Sequence, residues 1–261
     1  MQDAANRSLD VLGVRVDALQ IPSVIDQVER WISAQNTGRY VTLTNVHSVM
    51  EAQHDAAFRQ VLNNASLSVP DGMPLVWLGR LQGIRLRRRV YGPELLEEFC
   101  HATRGKGYRH FFFGGRPGVA ERLVERFTKR FPGFQSAGTY SPPFRPLTKE
   151  EDAEIVALIN ATRPDVVWVG LGCPKQEIWM SLHCGRLSAA VTIGVGQAFD
   201  LFGGDLRQAP RWMRENGLEW LFRLTVEPRR LWRRYLVYNT QFLFNLVLDA
   251  AGWRQFRQEE G

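Results

Sequence analysis

His110-Phe111-Phe112-Phe113-Gly114-Gly115-Arg116-Pro117-Gly118 is the stretch that decides the fold: a short apolar run passes through a glycine-rich turn into a helical pattern that reaches Phe131. A strand, a tight turn and a helix in that order form the repeating element of sheets covered by helices. The same alternation extends in both directions. On the N-terminal side, Gly92-Pro93 opens a helix with Leu95, Leu96 and Phe99 on one face, and Leu67 to Val69 reads as a short strand broken by Pro70-Asp71-Gly72. Further back lie helical patterns up to about Asn63, a strand at Tyr40 to Leu43, and a helix opened by Ile21-Pro22-Ser23 with Val24, Ile25, Val28, Trp31 and Ile32 at helical spacing. Leu9 to Val16 reads as the first strand. On the C-terminal side come a strand near Gln135 to Tyr140, a proline-rich loop at Ser141 to Pro146, and a helix ending near Thr162 that is started by a capping box of Thr148 and Glu151. Val166 to Val169 and Ala190 to Val195 read as buried strands. The expected fold is therefore α/β, a parallel, Rossmann-like sheet with helices on both faces.

The last fifth of the chain differs from the rest. From Leu206 onward ten arginines (Arg207, Arg211, Arg214, Arg223, Arg229, Arg230, Arg233, Arg234, Arg254 and Arg257) face six carboxylates, so this tail carries +4 of the chain's net +6. Trp212, Trp220, Phe222, Trp232, Tyr235, Phe242 and Trp253 are threaded among them. Residues 1–205 are thus expected to form the α/β core and 206–261 a basic, helical, membrane-associating appendage, with about half of the tail aromatics packing against the core. Leu236 to Trp253 is interrupted by Asn239, Thr240, Gln241, Asn245 and Asp249, too polar to span a bilayer. Three scattered cysteines, Cys100, Cys173 and Cys184, exclude a disulfide framework or a thiolate metal site, and Met1 to Leu12 has no basic region followed by an apolar run, so the cytoplasm is the expected compartment.

Ligands of such sheets sit outside the carboxyl ends of the strands. Five turns lie there by this reading: Thr44-Asn45 with His47, Pro70-Asp71-Gly72, Gly114 to Gly118, Gly170 to Glu177, and Gly194-Val195-Gly196-Gln197 with Phe199-Asp200. Glycine-rich turns leading into helices let backbone amides approach phosphate oxygens. Glycine is also simply what turns require, and no turn has the spacing of a Walker loop or a complete dinucleotide fingerprint.

Four runs together are more specific than any turn: Ser68-Val69-Pro70-Asp71-Gly72-Met73-Pro74-Leu75-Val76-Trp77, Arg89-Val90-Tyr91-Gly92-Pro93-Glu94-Leu95, Gly170-Leu171-Gly172-Cys173-Pro174-Lys175-Gln176-Glu177, and Gly194-Val195-Gly196-Gln197-Ala198-Phe199-Asp200. With Arg207, Ala209-Pro210, Gly217-Leu218-Glu219-Trp220, Arg223-Leu224 and Glu227-Pro228-Arg229-Arg230 following in order, nearly the whole chain resembles the WecG/TagA/CpsF family of bacterial glycosyltransferases. The resemblance implies transfer of a sugar from a UDP-sugar to a polyprenyl-diphosphate-linked saccharide at the cytoplasmic membrane face, in surface polysaccharide assembly, with inversion and with neither metal nor cofactor. The implied partners are the UDP-sugar donor, the lipid-linked acceptor and an anionic membrane surface; homo-oligomerisation is left open.

The resemblance also assigns residues. Asp71 corresponds to the family's proposed base; taken alone, Pro-Asp-Gly is a common turn. Arg89 matches an active-site arginine that replaces a metal ion at the leaving diphosphate, and the chain contains no Asp-x-Asp pair. Its neighbours Arg85, Arg87 and Arg88 read as a solvated loop face, and Lys175 as a surface lysine. Gln176 matches a pocket position, Gln197 lies in the last of the four runs as a further substrate-binding candidate, and Thr42, Thr44 and Asn45 are candidates for a pocket in which Leu43 stands where some relatives have a threonine; Gly114 and Gly115 are phosphate-binding candidates from their glycine-rich turn alone. Arg223, Arg229, Arg230 and Arg233 follow the pattern of an appendage that folds over the pocket. Two other classes compete. A single-stranded nucleic-acid-binding protein would use the same basic, aromatic tail, but no nucleic-acid module is recognisable. A dinucleotide-dependent oxidoreductase would need the fingerprint that is absent.

Overall fold

The computed structural model describes residues 8–204, 206–253 and 256; the side chains of Glu215, Arg230 and Arg234 and all of Asp205, Arg254 and Arg257 lie outside the described part. Strands β3 (Arg39–Thr44), β4 (Leu67–Pro70), β5 (Arg109–Gly114), β6 (Gln135–Tyr140), β7 (Val166–Gly170) and β8 (Val191–Gly194) form a six-stranded parallel sheet in the order β4-β3-β8-β7-β5-β6. Register aligns Phe112 of β5 with Trp168 of β7, and Trp168 with Ile193 of β8; all three are buried. Unbroken apolar runs are what strands covered on both faces require.

The expected first strand, Leu9 to Val16, is instead a hairpin of β1 (Ser8–Val11) and β2 (Val14–Asp17). Leu12 and Gly13 turn the chain with φ of 54° and 79°, and the Gly13 amide donates to Asp10 Oδ1 at 2.8 Å. An apolar residue at positive φ gives no turn signal in sequence; here Leu12 is buried, which offsets the backbone cost.

The chain divides into two compact units. One comprises Met1–Gln20, Leu43–Tyr91 and Gln208–Gly261. It holds the hairpin, α2 (Val46–His54), α3 (Ala56–Asn63), β4 and α4 (Met73–Leu81), together with the tail helices α10 (Arg211–Glu215), α11 (Glu219–Val226), α12 (Pro228–Trp232), a π-helical turn (Arg233–Val237) and α13 (Tyr238–Ala250). The other comprises Ile21–Thr42 and Gly92–Arg207. Its helices are α1 (Ile21–Ser33), α5 (Gly92–Thr103), α6 (Val119–Arg130), α7 (Lys149–Ala161), α8 (Lys175–His183) and α9 (Ala198–Phe202). The expected stripe on α1 is buried at Val24, Ile25, Val28 and Trp31. Thr148 and Glu151 make the expected reciprocal cap of α7, at 3.2 and 2.9 Å.

Tail helix α13 packs on α2 within the first unit. The Tyr238 hydroxyl donates to Glu51 Oε1 at 2.9 Å, its ring stacks on His47 with centroids 5.4 Å apart, and Phe242 is buried. Other tail aromatics do the opposite: Trp212, Trp232 and Trp253 are exposed. No described helix is long and apolar enough to cross a membrane.

Candidate active site

In the first unit, β4 ends at Pro70, and the Asp71 amide donates to the Thr44 carbonyl at 2.7 Å while the Val90 amide donates to the Pro70 carbonyl at 2.7 Å. The second of these bonds sets the Asp71 turn beside the segment that carries Arg89 and Tyr91, and the first ties that turn to the end of β3. Arg89 Nη2 donates to Glu219 Oε2 and forms an ion pair with it, and the Tyr91 hydroxyl donates to Glu219 Oε1 at 2.8 Å. The Arg89 guanidinium lies 4.2 Å from the Tyr91 ring centroid. Burial disfavours the Arg89 charge, but the Glu219 and Asp71 carboxylates outweigh it and raise the guanidinium pKa. Burial, reinforced by Glu219, also holds the Tyr91 phenol far above its ordinary value. The result is a partly buried cluster of one permanent cation, a neutral phenol and two carboxylates. It fixes the orientation of a guanidinium, the group best suited to a diphosphate.

The residues expected around Asp71 have defined local roles. Thr44 is buried with its Oγ1 2.7 Å from Ser68 Oγ. Asn45 caps α2, accepting from the Ser48 amide at 3.2 Å. A Cβ on Gly72 would stand 3.7 Å from the Asn45 Cβ, so the Asp71 turn and the α2 cap are neighbours. His47 lies 3.7 Å from Glu51, under Tyr238. Of the tail arginines, Arg223 is half-buried on α11, whereas Arg229 on α12 and Arg233 in the π-helical turn are exposed, the latter 5.6 Å from the Trp232 ring centroid. The side chain of Arg230 is outside the described part.

In the second unit the carboxyl ends of three neighbouring strands are built from glycine. A Cβ on Gly114, whose φ is +122°, would stand 2.7 Å from the Gly170 backbone; one on Gly170 would meet the Phe199 ring at 2.8 Å. The Gly115 amide donates to the Gly170 carbonyl at 3.0 Å. Side chains are thus excluded where the turns approach each other. Gln176 is buried and clamps the loop before α8: its Oε1 accepts from the Gly172 amide at 3.3 Å and its Nε2 donates to Glu177 Oε1 at 2.8 Å. Gln197, half-buried, starts α9; Thr42 is fully buried on β3; Lys175 is exposed, as read from sequence. Among the described residues no group of three or more His, Cys, Asp or Glu side chains is placed to hold a metal ion.

The sequence reading named Asp71 and Arg89 as candidates but not the Glu219 and Tyr91 contacts that surround Arg89. Glu219 and Tyr91 both lay inside recognised motifs, yet neither carried a signal for the role they share. Glu219 reaches Arg89 across 130 residues of chain.

A parallel α/β sheet with an acid at one strand end and a guanidinium held in place nearby is the setting in which the comparisons with known proteins are read: the chain belongs to the glycosyl transferase WecG/TagA/CpsF family, which it matches over residues 9–256. It is 32% identical over 217 residues to proteins from Bacillus spizizenii and Bacillus subtilis, covering 83% of this chain and 82% of each relative. A Staphylococcus aureus protein is 26% identical over 226 residues, covering 86% of this chain and 87% of its own. All three are named N-acetylglucosaminyldiphosphoundecaprenol N-acetyl-beta-D-mannosaminyltransferase.

Proposed function

We propose that this glycosyltransferase moves a sugar from a UDP-sugar to a polyprenyl-diphosphate-linked saccharide by one inverting displacement, with Asp71 as base and Arg89 in place of a metal ion. The observation that carries the reading is that the Val90 amide bonds the Pro70 carbonyl at 2.7 Å and so sets the Asp71 turn beside the segment of Arg89, in a chain that matches its family along almost its whole length. As the acceptor oxygen bonds to the anomeric carbon, the bond to UDP breaks, and the Asp71 carboxylate takes the acceptor hydroxyl's proton. The departing diphosphate gains charge, which an oriented guanidinium stabilises without reorganising. Glycine-rich strand ends at Gly114 and Gly115, with Gln176 and Gln197, serve nucleotide binding through backbone amides and amide side chains.

The relatives' names support a lipid-diphosphate acceptor bearing N-acetylglucosamine and an N-acetylmannosaminyl donor. A β product from an α-linked nucleotide sugar is also what single displacement yields. Residues 206–261 serve in this reading as the membrane-associating part, at the inner face, where a soluble donor meets a lipid-anchored acceptor. Purified full-length protein, given a panel of UDP-hexoses and UDP-N-acetylhexosamines with a short-chain lipid-diphosphate N-acetylglucosamine, should release UDP and add one hexosamine to the acceptor. Transfer from no UDP-sugar, or transfer only to acceptors lacking the diphosphate, would reject the proposal.

A further inference from the structure

Between Asp71 and Glu94 the chain has no carboxylate and five arginines. On α4, Trp77 and Leu81 stand one helical turn apart, 46% and 84% exposed. The loop that follows is ordered by hydrogen bonds: Arg80 Nε donates to the Leu86 carbonyl at 2.8 Å, Arg80 Nη2 to the Arg87 carbonyl at 2.7 Å, and the Ile84 amide to the Gly79 carbonyl at 2.8 Å. Leu86 is buried beneath it, so the loop is anchored and presents Arg85, Arg87 and Arg88 outward. The turn between α10 and α11 closes on the same helix: Gly217, with φ of +73°, brings its backbone so near that a Cβ would stand 3.1 Å from Met73 and 3.3 Å from Trp77. Trp212 of α10 is 58% exposed.

We infer that α4 and the loop after it form a second membrane-docking surface, in which Trp77, Leu81 and Trp212 enter the interface of an anionic bilayer while Arg85, Arg87 and Arg88 meet its headgroups. Arginine is a residue of choice for phosphate, and tryptophan and leucine on a basic helix face are the side chains that bury shallowly in an interface. The carboxylate-free, arginine-bearing stretch around Trp77 and Leu81 complements an anionic lipid surface and repels a second copy of itself. Chain continuity adds a geometric consequence. Arg89 follows the exposed arginines directly, so docking this loop sets the cluster of Arg89, Tyr91 and Glu219 at headgroup depth, where a lipid diphosphate lies. That consequence rests on the acceptor proposed above; the docking itself does not.

The test uses full-length protein and vesicles without either substrate, so it stands or falls independently of the transfer reaction. Leu81→Cys in a Cys173→Ser, Cys184→Ser background carries a nitroxide whose depth is read from collisions with oxygen and with a water-soluble nickel chelate. On vesicles rich in phosphatidylglycerol the label should gain oxygen contact and lose nickel contact, and should not on phosphatidylcholine alone. The triple variant Arg85→Gln, Arg87→Gln, Arg88→Gln should partition to the anionic vesicles about 100-fold more weakly, at about fivefold per arginine, with unchanged turnover on a short-chain, water-soluble acceptor. A label that stays nickel-accessible on bound vesicles would overturn the inference. So would a label shielded without vesicles in a concentration-dependent way, which would make the face a contact between copies, or a triple variant that loses turnover on the soluble acceptor, which would place these arginines in the substrate site.

Discussion

Replacing Glu219 by alanine should unsettle both stability and catalysis, because both of its carboxylate oxygens are committed. Oε2 receives Arg89 and Oε1 receives the Tyr91 hydroxyl at 2.8 Å, and the residue is 7% exposed. The Arg89 side chain is 16% exposed, so removal of the acid leaves a mostly buried guanidinium that has lost its ion-pair partner and keeps only the more distant attraction of Asp71 among the charges that raise its pKa. Breaking a buried pair in this way costs about 3–5 kcal/mol, and the Tyr91 hydroxyl loses its acceptor within that same sum. For a chain of this size the melting temperature should fall by roughly 6–20 °C. Glu219→Gln retains an acceptor for Tyr91 and should lose less. A double-mutant cycle with Arg89→Ala, followed by urea denaturation, measures the interaction directly, and a coupling of at least about 2 kcal/mol is expected for groups in such contact. Transfer should fall in both single variants, because an arginine released from Glu219 no longer meets the diphosphate in a fixed orientation. Additive losses with coupling below about 0.5 kcal/mol would refute the structural account of this pair.

Arg89→Ala should slow transfer by about 10²–10³-fold, as loss of one oriented charge-stabilising group does, while excess chelator leaves the wild-type rate unchanged; complete inhibition by EDTA with rescue by magnesium or manganese would contradict this. Vesicle sedimentation should show the tail's net +4 supplying up to about 4 kcal/mol of attraction to anionic lipid, weakened by added salt. Because Leu231 and Phe242 are buried and Tyr238 bonds Glu51, deleting everything after residue 205 would strip packing from the first unit, so Trp232→Ser with Trp253→Ser is the cleaner variant, and unchanged vesicle binding in it would remove the tail aromatics from docking. His110 on β5 is buried against the Phe99, Phe134 and Trp168 rings, accepts from Trp168 Nε1 at 3.1 Å through Nδ1, and has a pKa pushed down by burial to about 3. Its unfolded value is about 6.5, so the unfolded chain binds the extra proton as pH falls through that range. Stability should therefore drop by about 1.4 kcal/mol per pH unit from roughly pH 6 toward pH 4 on this account, and His110→Phe should flatten that slope whatever its effect at pH 7. An unchanged slope would show that other groups govern acid unfolding.

Local patterning carried most of the fold. The apolar runs at β5, β7 and β8, the stripe of α1 and the cap of α7 each depend on residues within one element, and each lies where the sequence reading puts it. The hairpin escaped because only one of its two turn residues, Gly13, is a turn former, while Leu12 at positive φ continues the apolar run of a single strand. Helix α4, Met73-Pro74-Leu75-Val76-Trp77-Leu78-Gly79-Arg80-Leu81, escaped for a different reason: it is apolar almost all round, so it has no stripe, and its exposed Trp77 and Leu81 look like core in sequence. Within the site, Asp71 and Arg89 stood out as candidates only through the family resemblance, since Pro-Asp-Gly alone reads as a turn. The acid that holds Arg89 was not legible, because a contact across 130 residues leaves no local period. Asn45 illustrates the converse: its place at a strand end was legible, while its bond to the Ser48 amide shows a structural role that motif spacing does not distinguish from a pocket role.

The central claim is that Asp71 is the base of the transfer, and one variant tests it most directly. Asp71→Asn preserves size and the backbone bond to the Thr44 carbonyl, so UDP affinity measured by calorimetry and the thermal transition should stay close to wild type. Single-turnover transfer from the UDP-sugar to a lipid-diphosphate acceptor should fall by about 10²–10⁴-fold, the usual worth of a positioned base. Near-normal transfer by a folded, UDP-binding Asp71→Asn protein would contradict the account.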